Sequence, residues 1–405
     1  MNKTIIRRYF YLTVSLLTFL SCQKKDECNI RYTITYPKSE NSVTLSDFCD
    51  DCKYVLLDSA LLLGRINDIS VTNNSFILKD YYEGILVYDS SGKFINKLGS
   101  FGKGPGEYLK YHTVFTNNVN DSIVYILNAG RQILKYSLSG NFLGSFNIKD
   151  SLKFYNIYTI NNRTLLLTAS ISNGSRKYNW CVIDTSGNYI YKKNNYINFK
   201  ATKYSGPSPL TITYKFKNST FFYDQYNDTL FKIGINTYNP HIIINLENKR
   251  LTPSISEKET PRYKTQKRFI IPQLFFETNR HVFFCYYEDM KEKYTLLNKH
   301  TKKYSFIKST IYRGLATARM RMTNDIDGGI PIGCNFKVVS IKGQSYMLIW
   351  AYADELKKHV ASAAFKNSTP KYPEKKKELV KLANSLKEDD NPVLMLVKLK
   401  DEGFD

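Results

Sequence analysis

The residue types best suited to chemistry stand together in Asn324-Asp325-Ile326-Asp327-Gly328-Gly329. Two carboxylates one residue apart, followed by paired glycines, offer hard oxygen ligands on a tight turn, which is the chemistry of Ca²⁺ binding. An EF-hand loop would add a closing glutamate, and no acid occupies that distance here. The favoured reading is a turn whose aspartates accept hydrogen bonds from backbone N–H groups. Glu107 poses a similar choice. It ends the run Gly102-Lys-Gly104-Pro105-Gly106-Glu107, where glycines crowd around one proline. Aimed at an axis, its carboxylate would line a channel. Turned back, it would hydrogen-bond the glycine loop, and that is expected.

Cys49-Asp-Asp-Cys52 has the spacing of a zinc knuckle or a redox pair. A structural zinc site needs four ligands, and no second pair stands at matching spacing. A local disulfide or two free thiols is the expectation. The five histidines form no H-x-x-x-H pair, and neither a G-x-S-x-G elbow nor a phosphate loop is present.

Cys22 carries different chemistry. Lys3, Arg7 and Arg8 precede an apolar stretch from Tyr9 to Leu20, too short to span a bilayer. Phe19-Leu-Ser-Cys22 then reads as a lipobox, with residues 1–21 the signal peptide and Cys22 the acylated first residue. Residues 22–29 read as a tether. The Lys-Lys-Asp-Glu cluster at 24–27 suits surface export, so an outer-membrane lipoprotein facing outward is expected. The chain carries +22 formally, and loss of residues 1–21 removes three bases and no acid, leaving +19. That excess suits anionic headgroups or acidic glycans; an exported lipoprotein without a nucleic-acid module is not expected to bind nucleic acid.

The elements that must position these residues are short strands broken by Asn, Gly, Ser and Asp. Tyr54–Leu57, Ile66–Val71, Phe76–Lys79, Ile85–Tyr88 and Lys93–Leu98 come first. An internal repeat follows. Val87-Tyr-Asp-Ser-Ser-Gly92-Lys-Phe-Ile95 is echoed by Lys135-Tyr-Ser-Leu-Ser-Gly140-Asn-Phe-Leu143 and by Val182-Ile-Asp-Thr-Ser-Gly187-Asn-Tyr-Ile190. The three glycines lie 48 and 47 residues apart. A period in the high forties with about four strands per unit predicts an all-β, six-bladed β-propeller over residues 30–405. A looser copy begins at Leu230, and further hairpins follow at Tyr294–Phe306 and Phe336–Ile349. A helical insertion is expected at about 353–390, as one helix over Asp354–Phe365 and another over Pro373–Glu388, before the last strand. The ring is expected to close by Arg31–Tyr36 pairing with Val393–Leu399. With aromatics at 14% of the chain, most should pack between blades, Trp180 and Trp350 included.

Gly102-Lys-Gly-Pro-Gly-Glu-Tyr108 after a Gly-Lys-Phe hairpin resembles the six-bladed β-propeller lipoprotein family related to NHL-repeat proteins. Glu277-Thr-Asn-Arg-His-Val-Phe-Phe284, Asn324-Asp-Ile-Asp-Gly-Gly329 and Glu388-Asp-Asp-Asn-Pro-Val-Leu394 extend the resemblance to the C-terminus. It implies an exported propeller and no agreed reaction. The expected function is a monomeric binding or scaffold protein at the cell envelope, taking a protein, peptide or glycan ligand and no cofactor. The alternative is a metal-dependent hydrolase or lyase, with Ca²⁺ or Zn²⁺ held in the channel by residues of several blades. His112 and His281 lie near the blade starts that such a site would use.

Overall fold

The computed structural model describes residues 32–35, 41–109, 114–117, 123–149, 152–169, 176–197, 211–258, 267–313 and 318–400. Six sheets follow one another around a ring, each with four antiparallel strands at its heart, consecutive in the chain in the first five. Blade 1 comprises Ile66–Val71, Ser75–Asp80, Gly84–Asp89 and Phe94–Leu98. Blades 2 and 3 repeat that pattern over 114–147 and 156–194. Blade 4 spans 211–245 and blade 5 spans 271–307. Blade 6 takes Lys337–Ile341, Gln344–Ala351 and Val393–Leu399 from the C-terminal end.

The repeat in the sequence is the turn between the third and fourth strands. Gly92, Gly140 and Gly187 hold φ near +90°, each donating its N–H to the carbonyl of the residue three earlier. The side chains of Asp89, Ser137 and Asp184 accept from the backbone N–H groups just beyond. Each blade then buries aliphatic and aromatic residues against its neighbours, as where Tyr223 of blade 4 meets Phe275 of blade 5 edge-on with ring centroids 5.3 Å apart. Trp180 is buried in the blade 3–blade 4 core, while Trp350 is half-buried against the blade 6–blade 1 core.

Ring closure differs from the expectation. Val393–Leu399 pairs antiparallel with Cys49–Leu56, which becomes the fourth strand of blade 6. Tyr32–Thr35 instead pairs parallel with Tyr238–Asn245 as a fifth strand of blade 4, and Ser42–Val43 does the same on blade 5. The reason is connectivity. A closing strand must hand the chain to blade 1, and Leu56 is ten positions from Ile66. Tyr32–Thr35 is far upstream, and is held where Tyr304 Oη accepts from Thr35 N (3.1 Å) and donates to Thr33 O (2.8 Å).

The helical insertion lies between the second and third strands of blade 6. The expected first helix is two, Ala353–Ala361 and Ala363–Lys366, because Ser362 turns extended and its Oγ accepts from Phe365 N. The second runs Pro373–Ser385 with proline at its first turn. Shorter helices at Leu45–Phe48 and Pro253–Lys258 carry too few turns to show a helical period in the sequence.

Candidate functional site

The first strand of every blade is its innermost, and these strands ring the axis. Asp68 of blade 1 is paired across the sheet with Lys79 and forms an ion pair with Lys337 of blade 6. Burial pulls the Lys79 amine below its ordinary range, and Asp68 works against that shift. Tyr158 of blade 3 has its phenol pushed up to about 12 by burial; the Thr213 hydroxyl of blade 4 opposes that rise, and the Asp68 charge adds to it. Lys215 Nζ donates to Thr159 Oγ1 at 3.1 Å. Ammonium, carboxylate and hydroxyl groups from four blades thus meet around the axis. Such a lining suits reversible hydrogen bonding and charge pairing with a polar ligand.

The glycine loop joins blade 1 to blade 2 and is folded onto itself. Glu107 Oε2 accepts from Gly104 N at 2.7 Å, and Oε1 accepts from Ser100 Oγ at 3.3 Å. A methyl at Gly102 would meet that carboxylate at 2.0 Å and push it off the loop. Tyr136 of blade 2 donates to Gly106 O, while Tyr108 Oη donates to Leu98 O (2.8 Å) and accepts from Ile85 N (3.0 Å). Pro105 and its glycines therefore clasp two blades together.

Asp325 and Asp327 point into the protein. Asp325 accepts from Ser46 N and Ser46 Oγ, so it caps the Leu45–Phe48 helix of the closing segment. Asp327 Oδ1 accepts from Asn324 Nδ2 (2.7 Å) and Gly329 N (2.8 Å), and Oδ2 from Tyr54 Oη (2.8 Å). Burial raises its carboxyl above the ordinary range, and those hydrogen bonds oppose the rise. The Gly328 carbonyl is bonded by His359 Nε2 at 2.8 Å, tying the turn to the helical insertion.

Cys49 and Cys52 are free thiols, both buried in the core between blades 5 and 6. A bulge between Cys49 and Asp51 lets residues three apart face the same side. Cys285 lies in that core too, hydrogen-bonded to Cys334, and burial pushes its thiol up.

A cluster that sequence reasoning missed surrounds Glu277, at the end of the first strand of blade 5. Its side chain is fully buried. Tyr214 Oη donates at 2.5 Å, His241 Nε2 lies at 2.6 Å and Lys299 Nζ at 2.6 Å. Burial opposes ionisation, yet the His241 hydrogen bond and the Lys299 charge outweigh it and hold the carboxyl low. The signal in the sequence was a glutamate ending an apolar strand, which demands partners. His281, nearby, is pulled down to about 4 by burial and by the charges of Arg280 and Lys299. Among the described residues, no three of His, Cys, Asp and Glu converge as metal ligands would. Cys22 and His112 lie outside the described residues.

Residues 31–398 match the model of a family described as a domain of unknown function, DUF4934. No protein of curated function matches the sequence. Among solved structures, a Bacteroides fragilis NCTC 9343 protein described as exported is similar at TM-score 0.65 and 18% identity, over 91% of this chain and 99% of that one. BamB from Moraxella catarrhalis gives TM-score 0.34 at 9% identity, over 73% of this chain and 74% of that one. The C-terminal WD40 domain of Sif2 gives 0.33 at 13%, over 70% and 64%. The last two are too distant to bear on this chain. With its six blades and a match across nearly its whole length, the chain belongs to the DUF4934 family and has the six-bladed β-propeller fold.

Proposed function

We propose that this is an exported propeller, lipid-anchored through Cys22 at the outer membrane, that binds a protein, peptide or glycan as a monomer. Kinship with NHL-repeat propellers belongs to the same reading. The lipobox sequence supports the anchor, and the similar B. fragilis protein described as exported supports the address. The observation that carries the binding role is the axial set, which joins Asp68, Lys79 and Lys337 of blades 6 and 1 with Tyr158, Thr213 and Lys215 of blades 3 and 4. These groups belong to different blades, so the assembled ring alone presents them together. Screening the purified protein against glycan and peptide arrays tests this, followed by Asp68→Ala and Lys337→Ala on any ligand found. Each variant should weaken that binding at least about tenfold, the effect of losing one charge-assisted contact. Unchanged affinity in both variants would remove the axial site from the account.

A further inference from the structure

The two ends of the ring differ in charge. One end carries the turns between the first and second strands of each blade and, because the strands are antiparallel, those between the third and fourth. Among the described residues, the turns between first and second strands hold no aspartate or glutamate. They do hold Arg163, Lys217, Arg280 and Lys342, all exposed and drawn from four blades. Neighbouring turns sit side by side, since Lys342 N donates to Asn73 Oδ1 of the next blade at 2.7 Å. Exposed Lys302 joins the same end, because its own turn is held there by Lys299 N donating to Arg280 O. Of the acids at this end among the described residues, Asp89 and Asp184 accept from N–H groups of their own turns, and Glu277 is buried with Lys299. The opposite end, made of the turns between second and third strands and the glycine loop, mixes signs. It places Glu83 and Asp289 among Lys103, Arg131 and Lys291.

Chain direction gives a second, independent pointer. Tyr238–Asn245 leaves the turn at Thr237 and runs toward the mixed end, and Tyr32–Thr35 lies parallel to it. The first described strand thus climbs from the basic side. On the reading that Cys22 carries a lipid, Tyr32 lies ten positions after the anchor, a reach of about 35 Å when extended. The chain would arrive from the side of the basic turns. Ile235, in the turn that begins at that side of blade 4, is 42% exposed.

We infer that the basic end is a docking face for anionic lipid headgroups, with the glycine loop, the Ser309–Met322 hairpin and the helical insertion directed away from the bilayer. Basic residues near an anionic surface attract it additively, and the attraction is screened by salt. No single lysine is a binding site in this arrangement. Affinity comes from several charges presented together at one end of the ring.

The test uses the full chain carrying Cys22→Ala, so that no lipid contributes. Co-sedimentation with phosphatidylcholine vesicles is compared with vesicles that also contain phosphatidylglycerol. Binding should need the anionic lipid and fall as salt rises. Lys302→Glu and Lys342→Glu should each weaken it at least about fivefold, from about 1 kcal/mol per basic residue at such a surface. Lys103→Glu and Lys291→Glu, at the other end, should leave it unchanged. Equal binding to both vesicle types would overturn the inference, as would mixed-end variants as damaging as basic-end ones. All four positions are exposed, and thermal melts confirm that each variant folds. Palmitate labelling of wild type reports on the anchor separately, so failure of one reading is distinguishable from failure of the other.

Discussion

Asp325 and Ser46 stand 279 positions apart, yet one carboxylate takes both the backbone N–H (3.0 Å) and the hydroxyl (2.7 Å) of that serine. The contact fixes the short helix that leads into the closing strand. From the same turn, the carbonyls of Asp325 and Ile326 accept from Lys371 N and Tyr372 N of the helical insertion. Residues that could have held a cation therefore join three remote segments. Asp325→Ala should lower stability by about 2 kcal/mol, the scale of hydrogen bonds to a charged acceptor. Urea denaturation measures it, and an unchanged midpoint would deny the capping role.

Asn391 closes the ring from the other side. Its Oδ1 accepts from Leu63 N (2.7 Å), while Nδ2 donates to Asp58 O (2.6 Å) and Leu61 O (2.8 Å). The residue is buried and fastens the last strand to the connection that enters blade 1. Asn391→Ala would strand three backbone groups, a loss of about 2–4 kcal/mol. Deleting residues 30–37 should be milder than deleting 49–56, which removes a whole blade strand. Thermal melts of the two truncations decide it, and equal melting temperatures would contradict the closure described here.

Gly92 and Gly140 occupy the same place in the repeat, with φ of +93° and +92°. They differ in what surrounds them. A Cβ on Gly92 would lie 1.9 Å from Leu56 O, in the closing strand, whereas the nearest atom to one on Gly140 is 3.4 Å away. Both alanine variants bear the backbone penalty of about 1–3 kcal/mol. Gly92→Ala adds a clash with main chain, so it should be the more destabilising by at least about 1 kcal/mol. Chemical denaturation of the pair checks this; equal losses would mean the close approach is absent.

Asp224 offers a pH test. Burial raises its carboxyl to about 6, the Tyr226 N–H opposes the rise, and Oδ2 meets no partner among the described residues. A raised folded-state value means its contribution is fully present below about pH 4 and is lost as pH climbs through 6. Asp224→Asn keeps the Oδ1 contact and removes the ionisation. The variant should exceed wild type at pH 8 by up to about 3 kcal/mol, the free energy of carrying a carboxyl from its ordinary range up to about 6. The gap should close near pH 4. A difference independent of pH would place the carboxyl in contact with solvent.

Much of the fold was legible because each Ser-Gly turn solves the same local problem with the same residues. Asp89, Ser137 and Asp184 each satisfy turn N–H groups, so a period near 47 survived in the sequence while the strands between diverged. Closure was not legible. Cys49–Leu56 carries two aspartates and a bulge, which break its alternation, while Tyr32–Tyr36 alternates cleanly. The Glu277 cluster was hidden for another reason. Its partners Tyr214 and His241 stand 63 and 36 positions away, on strands brought alongside only by packing of blade 4 on blade 5. The acids of the Asp325–Asp327 turn were visible as acids, but their donors, Ser46 and Tyr54, came from the opposite end of the chain.

The reading as a lipid-anchored binding propeller stands most directly on Cys22. Cells expressing wild type and Cys22→Ala are grown with an alkyne analogue of palmitate, and the purified chains are probed for label. The expected result is label on wild type alone, with wild type digested by protease added to intact cells. Unlabelled wild type with Cys22 intact would contradict the anchor, and protection from protease on intact cells would contradict its outward display.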